Sequence, residues 1–281
     1  MWLFYTLLAA VLWGVGQIVI KKGYSNLPSL FNNVYAGIIL PAMILPLTLS
    51  HGINADRILS ILPLTIVVAV IFLAYYYVIS LGQVSFTGTI ISTSPLITAI
   101  LSIVFLHENI SAFQKIAIGL ILVGTVCLAF PEKINELKKL KIGSWFWWAL
   151  FTAIIVGFAD FLIKLLITQS DVYTYLFTYS ICVFFVGVIS IFFDKKGRAL
   201  PKFSFKHYLP TLIGVSIMEI AFLSFHFALS GGLASLVAPI SSLYVSITAV
   251  LAWTILKEKI NKLQFFGITL SALGVILVGI V

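Results

Sequence analysis

Apolar residues run for about twenty positions at a time along this chain, the length a helix needs to cross a bilayer, and polar turns interrupt them at regular intervals. Ten such runs can be marked, at 2–20, 28–50, 61–81, 86–106, 112–130, 144–168, 172–193, 208–229, 234–256 and 262–281. Turn or charge signals separate them: Lys21-Lys22-Gly23, Gly52 to Arg57, Leu81-Gly82-Gln83, His107-Glu108-Asn109 and Ser230-Gly231-Gly232. The polar stretch 131–143 follows the fifth run and reads as a linker, leaving 1–130 and 144–281 as two units of five spans.

The two units are copies. Pro95–Val126 aligns without gaps with Val245–Ile276, matching Thr98-Ala99 to Thr248-Ala249, Glu108 to Glu258, Gln114 to Gln264 and Gly124 to Gly274. Gly14 with Lys21 likewise matches Gly157 with Lys164. Five spans is an odd number, so the second copy must enter the bilayer from the opposite side. The fold expected is therefore an all-α integral membrane protein, ten transmembrane helices arranged as two inverted five-helix repeats.

Composition agrees that lipid is the solvent. Residues are 61% hydrophobic and 9% charged, where soluble domains carry about 25% charged, and mean hydropathy is +1.16. Cys127 and Cys182 lie in apolar runs and read as small buried hydrophobes. Met1-Trp2-Leu3-Phe4 lacks a basic lead-in and reads as a retained first span. Of the 17 Lys and Arg residues, all but Arg57, Lys115 and Lys164 fall on one side of the ten-span arrangement. Basic short loops stay in the cytoplasm, which puts both termini outside in a cytoplasmic or plasma membrane. The net charge of +8 is then a topology and headgroup signal, not a nucleic-acid one.

Particular residues carry a family resemblance. Trp13-Gly14 followed by Lys21, then Pro95 with "LITAILSIVFLHENISAFQKIAIGLILVGTVCL", resemble the pattern of EamA-type members of the drug/metabolite transporter superfamily. The second copy repeats it, departing at Val245 where the family usually has proline. What the resemblance implies is a ten-helix, alternating-access carrier for a small polar or amphipathic metabolite such as an amino acid or amine, with export the expected direction. The first-helix carboxylate of related small multidrug carriers has no counterpart between Met1 and Ile20.

Polar groups inside spans are costly and usually face a cavity or a partner. Glu219 sits mid-span with no basic residue within a turn, so it is either protonated or paired with a cation, and it is the leading candidate for substrate binding or proton coupling. Asp160 and Lys164, one turn apart, are expected to meet as an intramembrane ion pair or to line the path. Gln17, His226, Tyr76, Tyr77 and Ser242 complete the expected substrate-binding set; of Tyr75-Tyr76-Tyr77 at most two can face one cavity. Pro95 and Pro239, beside Ser92-Thr93-Ser94 and Ser241-Ser242, mark helix bends whose freed carbonyls hydroxyls can satisfy. Glu108 and Glu258 read as clasps at helix hairpins, with Asn or Ser capping the next helix.

No phosphate loop, HExxH, CxxC or GxSxG motif appears, so the expectation is no catalytic residue, no metal and no cofactor. The expected partners are a small solute and membrane lipid, the expected state a monomer whose two halves rock about a cavity built by the first, third, fourth, sixth, eighth and ninth spans. A lipid flippase or scramblase and a passive channel are the rival readings. The orientation is checked by single-cysteine labelling in a Cys127→Ser, Cys182→Ser background. Arg57→Cys should react with an impermeant maleimide from outside intact cells, and Lys196→Cys only after permeabilisation.

Overall fold

In the computed structural model every described element is a helix. The structure describes residues 1–21, 29–81, 90–128, 144–193 and 205–280, with side chains described except at 20–21, 29–33, 76–81, 144–145, 193, 205–207 and 211. The helices are α1 Trp2–Lys21, α2 Ser29–His51, α3 Ala55–Leu81, α4 Ser94–Phe105, α5 Ala112–Leu128, α6 Ser144–Gln169, α7 Val172–Phe193, α8 Phe205–Gly231, α9 Ala234–Ser241, α10 Tyr244–Ile255 and α11 Lys262–Ile280. Eight helical stretches among the described residues are long and apolar enough to cross a membrane, α9 and α10 counting together, and α4 and α5 are shorter apolar helices. The linker 131–143 lies outside the described residues.

Two differences from the expected spans have physical causes. Helix α3 begins at Ala55, ahead of the apolar run, because a helix can continue into water where its polar first turn (Asp56, Arg57) is solvated. The ninth span breaks into α9 and α10 at Ser242-Leu243, and the fourth breaks at Ser92-Thr93. Pro95 and Pro239 each withhold a backbone donor near the break. Hydroxyls then take up carbonyls there: Thr93 Oγ1 donates to Ile90 O at 2.7 Å, Ser241 Oγ to Ala238 O at 2.8 Å and Ser242 Oγ to Pro239 O at 2.6 Å.

The main packing partners of each helix belong to the other side of the linker. Helix α1 lies along α8 and against α10, α6 lies against α3 and α4, α2 pairs with α7, α5 with α11, and α4 with α9. The units before and after the linker therefore interleave. In lipid no hydrophobic effect draws helices together, so backbones gain most by close approach at small residues. A Cβ at Gly14 would lie 2.6 Å from Ile247 Cγ2, and one at Gly157 would lie 2.5 Å from Ser94 O and 2.6 Å from Ile97 Cβ. Between α5 and α11, a Cβ at Gly274 would meet Ala117 O at 2.7 Å, and one at Gly267 would meet Gly124 O at 2.6 Å.

Local signals repeat at matched positions. Ser111 N donates to Gln114 Oε1 and Gln114 N to Ser111 Oγ, while Asn261 and Gln264 make the same reciprocal box. His107 and Lys257, at φ 53° and 59°, turn the chain just before each box. The outer surface is apolar, with Leu49, Leu59, Phe105, Trp147, Trp148 and Phe265 exposed as lipid-facing side chains should be.

Gly157→Leu should destabilise the purified protein by about 1–3 kcal/mol, the usual cost of overpacking. Gly119→Ala, where a Cβ meets nothing within 4 Å, should leave thermal stability unchanged; a melt in detergent compares them.

Candidate functional site

A cavity opens between the interleaved helices, with about 1140 Å³ of atom-free space including its mouth. Its walls come from α1, α2, α3, the fourth span, α6, α7, α8 and the break between α9 and α10. All six spans expected to build it do so. Helices α2 and α7 join them, through Leu40 and through Tyr179, Val183 and Gly187.

Four expected site residues face this space: Gln17, Asp160, Glu219 and Ser242. Glu219 is 8% exposed and Asp160 9% exposed, both on cavity walls, and no ion pair is formed by either among the described residues. The Thr98 hydroxyl stands beside the Asp160 carboxyl, held there by its own bond to Gly157 O at 3.1 Å across the α4–α6 crossing. Tyr179 of α7 lines the same cavity as both carboxyls. Ser242 lines the wall with its hydroxyl already bonded to Pro239 O.

Aromatic rings form much of the remaining wall. Trp13 sits with its ring centroid 5.3 Å from Phe225 and 5.9 Å from Tyr244. Phe222, one turn beyond Glu219 on α8, lies 5.1 Å from Phe72 and 5.5 Å from Tyr179. Tyr75 also lines the cavity, whereas the side chains of Tyr76 and Tyr77 lie outside the described residues. Trp13, Tyr179 and Tyr244 were not picked out as wall residues from the sequence. Their helices are apolar on every side, so periodicity carries no sign of which side faces inward.

Two expected residues are elsewhere. His226 is fully buried and does not line the cavity. Its Nδ1–H donates to Phe222 O at 2.6 Å, and its ring stacks on Tyr175 with centroids 5.4 Å apart. Lys164 does not pair with Asp160. The long stem carries Nζ away from the cavity to the C-terminal end of α8, where it donates to Leu229 O at 2.7 Å and Gly232 O at 2.8 Å. Those carbonyls lack helical partners and carry the negative end of the helix dipole, so an ammonium suits them. Just past that corner, Glu108 accepts from Ala234 N and Ser235 N, both at 2.8 Å, at the start of α9. Lys164 and Glu108 thus match opposite charges to the two helix ends flanking Gly232-Leu233. Glu108 is a clasp, as its sequence setting suggests, but on another helix's N-terminus rather than on its own hairpin.

Residues 1–130 and 143–280 both match the EamA-like transporter family. The chain belongs to that family. Its EamA character makes it a multi-pass membrane protein of the drug/metabolite transporter type. An uncharacterized protein of Methanocaldococcus jannaschii is 35% identical over 130 residues, which are 45% of this chain and 94% of that protein. A solved crystal structure superposes with a TM-score of 0.77 over 99% of this chain and 96% of its own, at 13% identity, a likeness of fold alone.

Because Lys164 bonds carbonyls and not Asp160, a double-mutant cycle of Lys164→Met with Asp160→Asn should show coupling below about 0.5 kcal/mol. Lys164→Met alone should cost about 1.5–3 kcal/mol of stability. Thermal or denaturant unfolding of the four proteins checks both.

Proposed function

We propose that this protein is a secondary carrier that moves a small polar or amphipathic metabolite out of the cytoplasm by alternating access, without ATP and as a monomer. The cavity carries the reading: one chain supplies every described wall residue, and polar groups from α1, α6, α8 and the α9–α10 break converge in an otherwise apolar, aromatic space. A polar binding space within the membrane-spanning helices is what a carrier requires, its walls rearranging to release the solute on the other side.

The two units, 1–130 and 144–281, act as inverted five-helix repeats of a ten-span protein in this reading. Support comes from paired contacts. Gly14 approaches Ile247 and the Tyr244 carbonyl, while Gly157 approaches Ile97 and the Ser94 carbonyl, and the repeat alignment equates those positions. The archaeal relative, matched over nearly its whole length by less than half of this chain, has the size of one repeat. Since helices interleave, the moving bodies are mixed bundles: α1 with α8 on one side, α6 with α3 on the other. The crossings of α1 on α10 and of α6 on α4 are where they would slide.

Reconstituted protein should show saturable uptake with counterflow from a metabolite panel. Glu219→Gln should lower that exchange about tenfold or more while the protein stays monodisperse with an unaltered melt. Full exchange in this variant would remove Glu219 from the carrier's working site.

A further inference from the structure

The chemistry of the cavity wall identifies the kind of solute it accepts. Asp160 and Glu219 are each more than nine-tenths buried, and both reach the same space from neighbouring helices. The described basic side chain nearest in sequence, Lys164, is committed to the α8 carbonyls. Glu219 lines the cavity and has no hydrogen-bond partner among the described residues, so its bonding capacity is unspent. A buried carboxylate left unpaired is expensive; a solute that supplies a cation or an N–H donor relieves that cost, and an anionic solute raises it.

Trp13, Phe225 and Tyr244 form one contiguous aromatic group, and Tyr179, Phe222 and Phe72 another. Faces of such rings attract ammonium groups, most strongly where water is excluded. Tyr179 lines the same cavity as both acidic residues, and Phe222 follows Glu219 by one turn on the same face of α8. Gln17 adds an amide that can accept or donate.

Resting on the carrier reading above, we infer that the transported solute is an organic amine, and that Asp160 and Glu219 together select a solute with one or two ammonium groups on an apolar body. The carboxyls compensate its charge, and the rings cover its carbon chain. A neutral polyol would leave both carboxyls without a counter-charge. A dicarboxylate would place like charges together in a low-dielectric space.

The test uses solutes of one carbon skeleton and different charge: 1,4-diaminobutane, 1,4-butanediol and succinate. Binding to the purified wild-type protein in detergent is followed by tryptophan fluorescence, for which Trp13 is a reporter at the site, and by calorimetry. The diamine should bind at least about tenfold more tightly than the diol, and succinate should not bind. Glu219→Gln and Asp160→Asn should each weaken diamine binding by about tenfold. Equal binding of diol or succinate, or binding of none of the set, overturns the amine assignment whether or not the variants fold. Counterflow in proteoliposomes separates this from the broader reading. Saturable exchange of a neutral or anionic metabolite that ignores diamine removes only the amine assignment. Absence of exchange for every solute in the panel removes the carrier.

Discussion

Helices in lipid attract one another only through what touches when they meet, and this structure depends on how closely its backbones can touch. Gly14 admits α10 to α1, Gly157 admits α4 to α6, and Gly124, Gly267 and Gly274 let α5 and α11 lie almost backbone to backbone. At these crossings a side chain on one helix rests on a carbonyl or methyl of the next, the dispersion and polar contact that replaces a hydrophobic drive. The cavity is the space left where the helices between these crossings cannot close up. Large aromatic residues hold its walls apart there: Trp13, Tyr179, Phe222 and Tyr244.

Charge is distributed in two ways that serve different ends. Lys164 and Glu108 spend theirs on helix termini at the α8–α9 corner, where each meets orphaned backbone groups of the opposite sign. These bonds fix the corner and leave nothing over for a solute. Asp160 and Glu219 do the reverse, since no cation among the described residues pairs with either. A working cavity needs such unfinished interactions, because a solute is recognised only by groups the protein has not already satisfied. His226 belongs to neither kind: its Nδ1–H is bonded to its own helix and its ring is packed among Tyr175, Tyr179 and Phe222, while its Nε2 is buried without a partner among the described residues.

The interleaving of helices has a consequence for motion. Were the units before and after the linker separate bodies, a carrier could rock one on the other. Here α1 is bound along α8, α5 along α11 and α2 along α7, so a rearrangement that separates the units would break the most extensive contacts among the described helices. The broken helices at Ser92-Thr93 and Ser242-Leu243 lie beside the α4–α6 and α1–α10 crossings.

By itself the sequence determined the solvent, the helical class, the family and the duplication, since each follows from composition or from residues compared at fixed offset. The capping boxes at Ser111/Gln114 and Asn261/Gln264 were readable for the same reason: their partners are three residues apart. Glu219, Gln17 and Asp160 could be singled out because a polar group within an apolar run is visible whatever it faces. Which way a side chain faces was not visible. Lys164 is one turn from Asp160, yet its amine ends at carbonyls contributed by residues 229 and 232; Glu108 ends on a helix that starts at 234. Tyr179 and Tyr244 lie in helices apolar all round, where no stripe marks the inner face. Only the tertiary structure decided these, because in lipid the side of a helix that turns inward is chosen by shape and polar partners distant in the chain, and not by avoidance of water.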